Sequence, residues 1–370
     1  MVKMFGSICK GANILVVLLY LLACLIPFLP PQEFWYVAIL GLVFPFILLA
    51  VLVFLLGWII ARSKWFVVSL AALVLSWQQL SVMAGLHVKS AFEMAKSTKT
   101  IRVLSWNLSS WGDTNKKRSR DLAYRPLMAE LVISQQADVL CFQEFWDSNG
   151  HNNHDSIIPV FKEAGYQYSY FVKTIIEKGT IKTGVAILSK YPILDTGKFT
   201  FGKKDFAENL IYADILCNNN RVRVFTTHLQ SVRFEQQEYN SLDKIKRTDK
   251  SGLKDSRTIL GKLKRAYQFR GSQADLVQEK IKESPYPVII CGDFNDVPNS
   301  YTYFTIKGNL QDAFLKAAGG FGRTFQYISP TLRIDYILAD KKFDVAQYNC
   351  VVSDYSDHYP VVADLHFKEK

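Results

Sequence analysis

Three apolar stretches in the first 88 residues constrain this chain more than any other feature of its sequence. The second, Tyr36–Ile60, runs for 25 residues without a charge, and a helix that is apolar on every side is rare in a soluble protein. About 20 such residues are needed to cross the hydrocarbon layer of a membrane. We therefore predict a membrane region at residues 1–88 with three transmembrane helices, at about 13–30, 36–60 and 66–86.

A signal peptide followed by buried core helices is the alternative explanation for these stretches. Cleavable signal peptides end in a small-residue cleavage site, and no such site precedes Pro30. The stretch at 36–60 is also longer and more uniformly apolar than a core helix of a soluble protein. These two observations favour membrane spans over the alternative.

Basic residues in the short connections predict the orientation of the helices, because cytoplasmic loops are enriched in Lys and Arg. Lys3 and Lys10 precede the first stretch, and Arg62 and Lys64 separate the second from the third. The connection at 30–34 has no basic residue, whereas the three lysines that follow the third stretch favour the opposite orientation. With three crossings, we expect an integral, multi-pass protein whose remaining chain is extracytoplasmic, on the periplasmic or cell-surface side.

The formal net charge of +11 is concentrated in one part of the chain beyond the membrane region. Residues 231–270 hold eleven Lys and Arg against five acidic residues, and the rest of 101–370 is balanced. Such a segment could follow a phosphate backbone or lie on anionic lipid headgroups, and a solvated polar insertion explains it equally well. The charge therefore leaves nucleic acid and a membrane surface open as partners. Six cysteines without a close pairing motif do not indicate a disulfide framework.

Short strands alternate with helices and loops from Ile101 onward. Nine segments enriched in β-branched and aromatic residues are predicted strands, and helical spacing occurs at 122–134, 155–164 and 257–282. Nine or more strands in about 270 residues are too many for one doubly wound sheet. We predict an α/β (α+β) sandwich of two packed β-sheets flanked by helices over 101–370, joined to the membrane region by a linker at 89–100.

Polar side chains stand at the ends of several predicted strands. The run Val288–Cys291, for example, is followed at once by the acids and amides of "GDFND". A single strand-end Asn or His is more often a cap or a satisfied core group. Several of them at one edge of a packed core are difficult to explain as packing, and carboxylates there suit a hard divalent cation. The candidate site residues are Asn107, Glu144, His228, Asp293, Asn295, Asp335, Asp357 and His358.

The motifs that contain these residues resemble those of a known superfamily. "SWNL", "FQE", "GVAILSKYPI", "TTHLQS", "GDFND", "RIDYIL" and "SDHYPV" stand in the order seen in the endonuclease/exonuclease/phosphatase superfamily, and they cover 101–370 but none of the membrane region. Its members include pancreatic deoxyribonuclease, abasic-site endonucleases, inositol polyphosphate 5-phosphatases and neutral sphingomyelinases. The resemblance implies a four-layer α/β sandwich and a Mg²⁺-dependent attack of water on a phosphoester, with Mn²⁺ as the alternative ion.

The resemblance also implies a set of metal ligands. Glu144 matches the principal metal ligand of the family, and Asp357 of the "SDH" motif would complete the site. Asn107 would lie beside Glu144, either as a ligand of the ion itself or one contact away from it, and would also contact the substrate. Carboxylate oxygens are the ligands that Mg²⁺ prefers in proteins.

The remaining site residues match groups that act on water and phosphate in the family. His358 would transfer a proton, since imidazole titrates near neutrality, and Asp335 would hold its ring. Asp293 and Asn295 would orient the water and contact the phosphoryl oxygens. His228 would bond a phosphoryl oxygen or protonate the leaving group. The substrate-binding set implied is Asn107, His228 and Asn295.

Three functions remain open from the sequence. A nuclease-like enzyme is the first expectation, a sphingomyelinase-like or other phospholipid or inositol-phosphate phosphoesterase is the alternative, and an inactive membrane-bound binding module is the third. Abasic-site endonucleases carry Asn where this chain has His228, and every matched position keeps a chemically competent residue. The expected partners are a lipid bilayer and a phosphodiester substrate, without an obligate protein partner. Four aromatic residues near the site suit base stacking and lipid contact alike: Trp106, Trp111, Phe145 and Trp146.

Overall fold

The computed structural model describes most of the chain and divides it into two compact units. The described residues are 2–88, 91–112, 124–147, 156–173, 183–202, 209–232, 252–327 and 329–368. Parts of four predictions lie outside them: Lys89 and Ser90 of the linker, 233–251 of the basic segment, and the helix starts at Leu122 and Asp155. The first unit consists of Met1–Met83, Gln230–Asp275 and Val297–Ile306, and the second of Ala84–Leu229, Leu276–Asp296 and Lys307–Lys370. The predicted domain boundaries stay predictions.

Apolar helices form the N-terminal part of the first unit. They are α1 (Val2–Cys24), α2 (Pro31–Ala38), α3 (Leu40–Ile60), α4 (Phe66–Leu75) and α5 (Trp77–Leu80). Two helical stretches in the described residues are long and apolar enough to cross a membrane, by length and composition: Gly6–Phe28 and Pro31–Ile60. They correspond to the first two predicted transmembrane helices.

The third predicted transmembrane helix, at 66–86, is wrong. Helix α4 has 10 residues, which at 1.5 Å per residue reach about 15 Å, half the thickness of the hydrocarbon layer. The helix stops at Ser76, whose hydroxyl donates to the backbone carbonyls of Ala72 and Leu73 at 2.9 and 3.1 Å. Such bonds compete with a regular helix, and the apolar composition on which the prediction relied does not register them.

Polar contacts nevertheless align the segment Phe66–Leu80 with α1. Asn13 accepts from the Ser69 hydroxyl at 3.0 Å, and the hydroxyls of Tyr20 and Ser76 are 2.5 Å apart. One turn further on, Gln79 donates to the carbonyl of Cys24. The partners are separated by 56, 56 and 55 positions in the chain, so the two segments run in the same direction.

Two six-stranded sheets form the second unit. The strands are β1 (Gly85–Leu86), β2 (Thr100–Asn107), β3 (Val139–Trp146), β4 (Tyr168–Lys173), β5 (Thr183–Ser189), β6 (Ile193–Thr200), β7 (Asn209–Cys217), β8 (Asn220–His228), β9 (Val288–Asp293), β10 (Gln311–Asp312), β11 (Gly319–Gly320), β12 (Asp335–Ala339), β13 (Phe343–Cys350) and β14 (Val361–Phe367). One sheet has the order β10-β12-β9-β8-β7-β6, the other β13-β14-β2-β3-β5-β4, and β1 pairs with β11 alone.

The remaining helices are α6 (Tyr124–Ser134), α7 (Ile158–Glu163), α8 (Gly252–Lys282), α9 (Tyr301–Lys307) and α10 (Ala313–Ala317). Apolar side chains from both sheets, such as Val103 and Ile289, share one buried core. A second core joins β2 and β3 to Met128 of α6 and Phe161 of α7. The prediction of two packed β-sheets flanked by helices is therefore confirmed.

A parallel strand pair at the centre of each sheet fixes where the candidate site lies. Strands β2 and β3 are parallel, as are β8 and β9, in which His228 is level with Asp293. Strand β12 is antiparallel to β9, with Asp335 opposite Asp293, and β14 is antiparallel to β2. The carboxyl ends of the parallel strands therefore coincide with the amino ends of β12 and β14.

Candidate active site

The carboxylate of Asp293 lies at the centre of the candidate site. Its Oδ2 accepts from the amide nitrogens of Asn107 at 3.0 Å and Asn295 at 3.1 Å, and its Oδ1 accepts from the Asn295 backbone N–H at 2.8 Å. The Nε2 atoms of His228 and His358 both lie 3.6 Å from Oδ2. Four residues that are scattered between positions 107 and 358 thus meet at the buried carboxylate of Asp293.

The glycine in "GDFND" is required by a close approach of two backbones. Gly292 has φ of +148°, and a Cβ atom there would lie 2.0 Å from the carbonyl oxygen of Thr227 on the adjacent strand β8. Asn295, three residues on, has φ of +52°, in the left-handed region that Asn tolerates better than most residues. This backbone turns the Asn295 side chain back onto Asp293.

A β-bulge places Glu144 in the site. The pairing of β3 with β5 shifts register between Phe142 and Phe145, and Glu144 has φ of +49°. A bulge of this kind re-aims a side chain, and a left-handed Glu is a strained conformation typical of functional sites. The carboxylate Oε1 lies 3.4 Å from Nδ2 of Asn107 and 3.8 Å from Nε2 of His228.

The electrostatics around Glu144 fit a bound cation. Burial, together with the negative charges of Asp357 and Asp293, raises the pKa of Glu144, although His228 and His358 act in the opposite direction. A divalent ion would relieve this repulsion between acids. The Glu144 side chain is 31% exposed, whereas that of Asp293 is 1% exposed. Of the two acids, Glu144 is therefore the one that an ion can reach from solvent.

A second group of donors lies deeper in the site. Ligand atoms of Asp293, Asp335 and His358 are all within 4.8 Å of one another. The Nδ1 atom of His358 is already bonded to Asp335, so this ring could offer a metal only its Nε2 atom. Glu144, with Asp357 near it, provides a second and more exposed group of oxygen donors.

The amide nitrogen of Asn107 bonds to both acids of the site. Its Nδ2 faces the carboxylates of Glu144 and Asp293, while its Oδ1 accepts from the backbone N–H of Ser109 at 3.0 Å. A metal would need the oxygen, so this arrangement suits Asn107 to hold the two acids, and its direct binding of the ion stays a prediction. The hydrogen bond to Ser109 fixes which way the amide points.

His358 and Asp335 form a buried pair. The Nδ1 atom lies 3.0 and 3.1 Å from the two carboxylate oxygens. Burial disfavours the charged ring, but the carboxylates of Asp335 and Asp293 outweigh it and raise the pKa of His358 well above its usual value of 6.5. Burial also raises the pKa of Asp335, to about 6. At neutral pH the pair is therefore an imidazolium facing a carboxylate.

The segment from Thr324 to Gln326 holds this pair, and the sequence reasoning missed it. Thr324 Oγ1 accepts from the backbone N–H groups of Ile334 and Asp335 at 3.0 and 3.1 Å. The ring of Phe325 meets the His358 ring edge to face at 4.9 Å between centres. The only available signal was that "TF" stands a few residues before "RIDY" in the chain. A two-residue pattern is too short to predict a contact.

The loop that carries Asp357 and His358 is also fixed from several sides. Gln326 donates from its side chain to the carbonyls of Ser353 and Ser356, both at 2.7 Å, and from its backbone N–H to Asp357 O at 2.9 Å. The Ser356 hydroxyl donates to the carbonyl of Asn107 at 2.8 Å. These bonds make Gln326 and Ser356 positioning residues that the strand-end pattern did not reveal.

The four aromatic residues expected near the substrate are buried instead. Trp106, Trp111 and Phe145 are at most 2% exposed, and Trp146 is 7% exposed. They belong to the core between β2, β3 and the flanking helices. Trp106 supports the site from within, because its Nε1 donates to the carbonyl of His358 at 2.8 Å. The expectation that they suit base stacking or lipid contact is wrong, since their side chains are buried.

Comparison with known families assigns most of the chain. The endonuclease/exonuclease/phosphatase family matches residues 104–358. A domain of unknown function (DUF8431) matches residues 6–83. No curated protein sequence matches the chain.

Solved structures share the fold at low sequence identity. An endonuclease/exonuclease/phosphatase from Beutenbergia cavernae is 18% identical with a TM-score of 0.55, over 73% of this chain and 72% of its own. The human Nocturnin catalytic domain with bound sulfate is 18% identical with a TM-score of 0.52, over 73% and 94%. An endonuclease/exonuclease/phosphatase family protein from Bacteroides thetaiotaomicron is 21% identical with a TM-score of 0.50, over 73% and 98%.

The family match, the two-sheet fold and the site agree with one another. The match at 104–358 covers more than half of the 370 residues and contains all eight candidate residues. The chain therefore belongs to the endonuclease/exonuclease/phosphatase family and is a metal-dependent hydrolase of phosphoester bonds.

Proposed function

We propose that this protein is a membrane-anchored phosphoesterase that uses Mg²⁺ to hydrolyse phosphodiester bonds, with nuclease-like chemistry. The observation that carries the proposal is the meeting of carboxylates and imidazoles at one sheet edge. His228 Nε2 lies 3.8 Å from Glu144 and 3.6 Å from Asp293. His358 Nε2 lies 3.6 Å from the same Asp293 oxygen. Acid, base and metal donors are thus within reach of one phosphorus atom.

Glu144 and Asp357 would hold the ion, with Asn107 orienting Glu144. Bound there, Mg²⁺ would neutralise charge on the phosphoryl oxygens and on the water. Hard oxygen donors and acids that repel one another support this choice of ion, and the choice over Mn²⁺ belongs to the proposal.

The other residues would carry the proton chemistry. Asp293 and Asn295 would orient the attacking water, and the Asp293 carboxylate would take its proton as the water oxygen forms the new P–O bond and the bond to the leaving oxygen breaks. His358, held as an imidazolium by Asp335, would donate to a phosphoryl oxygen or to the leaving oxygen. His228, on the other side of Asp293, would bond the remaining phosphoryl oxygen. Each role uses an atom that already points toward Asp293 or Glu144.

Two aromatic and basic clusters support the membrane anchor. In α2, just before α3, the rings of Trp35 and Tyr36 are 6.0 Å apart. Near its end, the rings of Trp58 and Trp65 are 6.3 Å apart, and Lys10 Nζ lies 5.3 Å from the Trp65 ring centre. The 21 residues of α3 reach about 30 Å, the thickness of the hydrocarbon layer. Tryptophan and tyrosine at one end, and tryptophan and lysine at the other, are typical of membrane interfaces.

We further propose that the catalytic part is extracytoplasmic. The basic residues Lys10, Arg62 and Lys64 favour a cytoplasmic location for the beginning of α1 and the end of α3. A third crossing would be made by an interrupted segment and not by one continuous helix: Phe66–Leu80 is broken at Ser76, but it runs beside α1 in the same direction, so the chain would emerge at the end of α1. Protease added outside intact cells or spheroplasts should digest the catalytic part, and protection there would contradict this orientation.

A phospholipid or inositol-phosphate phosphoesterase is the second candidate. The membrane anchor favours it, because an anchored enzyme meets lipid headgroups at high local concentration. The buried tryptophans also remove one argument for base stacking. An inactive binding module is the least favoured candidate, since such a module needs neither the strained Glu144 nor the charged His358 and Asp335 pair.

One experiment separates the candidates. The full chain in detergent is incubated with Mg²⁺ and plasmid DNA, RNA, sphingomyelin or phosphorylated inositols, with Glu144→Ala as the blank. Nucleic-acid cleavage that is absent in the blank supports the first candidate, and release of a lipid headgroup or of phosphate supports the second. No hydrolysis of any of them would favour the binding module.

A further inference from the structure

Helix α8 carries a run of basic residues without any acidic residue. Between Arg257 and Ala274 the sequence contains five Lys and Arg and no Asp or Glu. Arg257, Lys264 and Arg265 are exposed, whereas Ile259, on another face of the helix, is buried. Positive charge is therefore gathered on the outer face of this helix and is not neutralised from within that stretch.

The same face also exposes large apolar side chains. Leu260 is 44% exposed and Phe269 is 45% exposed. In helical projection these two residues flank the exposed basic residues. A helix with basic and large apolar side chains on its exposed surface is typical of one that lies in the interface of a membrane.

Contacts within the first unit place this part of α8 against the connection between α1 and α3. Gln268 donates to the carbonyl of Gln32 at 2.9 Å, and Lys264 Nζ lies 5.2 Å from the ring centre of Trp35. A Cβ atom at Gly271 would lie 2.7 Å from Pro31, so the two segments approach closely there. The basic face thus lies beside Trp35, in the aromatic cluster at one end of the apolar helices.

We infer that the outer face of α8 between Arg257 and Phe269 binds the anionic headgroups of the membrane in which α1 and α3 are anchored. The inference rests on the membrane anchoring proposed above but not on the substrate. The charge sign, the two exposed apolar side chains and the position beside the aromatic cluster all fit a negatively charged bilayer surface. Each basic side chain near such a surface strengthens binding by a factor of about five.

Hydrogen exchange of the backbone amides at 257–269 tests this inference. The full chain is reconstituted into lipid nanodiscs of pure phosphatidylcholine or of phosphatidylcholine with phosphatidylglycerol. We expect these amides to exchange about tenfold more slowly in the anionic discs, and 0.5 M salt to abolish most of the difference. Equal exchange in both discs would overturn the inference.

Two triple variants identify the groups responsible. Arg257→Gln, Lys264→Gln and Arg265→Gln together should remove the slowing. The control removes the same charge from exposed lysines elsewhere, by Lys198→Gln, Lys282→Gln and Lys368→Gln, and should keep it. Slowing that survives in the first variant, or that is lost equally in the control, would overturn the inference.

Two further measurements separate this inference from the proposals on which it stands. Retention of the protein in phosphatidylcholine discs on gel filtration reports anchoring, and Mg²⁺-dependent hydrolysis of bis(4-nitrophenyl) phosphate reports the catalytic site. If retention and hydrolysis both persist but anionic lipid does not slow the amides at 257–269, only the inference fails. If single-stranded DNA slows the same amides in phosphatidylcholine discs and anionic lipid does not, the surface binds nucleic acid and the inference is overturned.

Discussion

The Nδ1 atom of His358 lies 3.0 Å from Oδ2 of Asp335, and its Nε2 atom lies 3.6 Å from Oδ2 of Asp293. One imidazole thus stands between two buried carboxylates on neighbouring antiparallel strands. Asp335 is opposite Asp293 in the pairing of β12 with β9, so sheet register alone sets the spacing of the two acids. The first prediction tests the charge of the ring between them.

Asp335→Asn should lower kcat by about 100-fold and change the pH dependence. The carboxylates of Asp335 and Asp293, acting against burial, raise the pKa of His358, so the charged ring persists at neutral pH and is lost as pH rises through that raised pKa. Without the Asp335 charge, the alkaline limb of the kcat profile should move to lower pH. Asp195→Asn, at an exposed position, should leave the profile unchanged. If the alkaline limb of the kcat profile does not move in Asp335→Asn, His358 is not the titrating acid.

Thr324→Val should reduce activity through the position of Asp335. The substitution leaves two buried backbone N–H groups, of Ile334 and Asp335, without their acceptor, at a cost of roughly 1–3 kcal/mol. We expect a lower Tm and a lower kcat with KM nearly unchanged. Thr324→Ser keeps the hydroxyl and should recover most of kcat. Equal loss in both variants would mean that packing, not the hydroxyl, matters at this position.

Asp364→Asn should destabilise the fold without acting on the chemistry. Asp364 accepts from Nε and Nη2 of Arg102 at 2.7 and 2.9 Å, and both side chains are at most 3% exposed. Breaking such a pair leaves a buried charge and costs about 3–5 kcal/mol, measured as a lower Tm or urea midpoint. Asp344→Asn breaks the exposed pair with Lys368 and should cost under about 1 kcal/mol. Similar losses of stability in the two variants would contradict the claim that burial makes the Asp364–Arg102 pair more important.

The sequence predicts the central strands of the fold because they are buried on both faces. Strand β9 begins with the uninterrupted apolar run Val288–Cys291, and β2, β3 and β8 are rich in β-branched and aromatic residues, which composition detects directly. Strands β6 and β13 were missed because their side chains are mostly partly exposed and mix polar with apolar types. The break at Ser76 was missed for a related reason, since mean composition does not register a single hydroxyl that bonds to the helix backbone.

The sequence predicts those site residues that stand at the ends of strands. Parallel pairing places Asn107 beside β3, which carries Glu144, and His228 beside Asp293, and the packing of the two sheets then brings these two pairs together. Thr324 and Gln326 lie in an irregular segment, and their contacts depend on tertiary structure that no local pattern encodes. The amide orientation of Asn107 depends in the same way on one backbone N–H, that of Ser109.

The most direct test of the central claim is Mg²⁺-dependent hydrolysis of bis(4-nitrophenyl) phosphate by the full chain in detergent, with Glu144→Gln compared against Glu279→Gln. Glu144 lies in the site, whereas Glu279 is an exposed residue of α8. We predict that chelation of the metal abolishes activity, that Glu144→Gln lowers it by on the order of 100-fold, and that Glu279→Gln retains it. Full activity in Glu144→Gln, or in the presence of excess EDTA, would contradict a metal site at the meeting point of these strands.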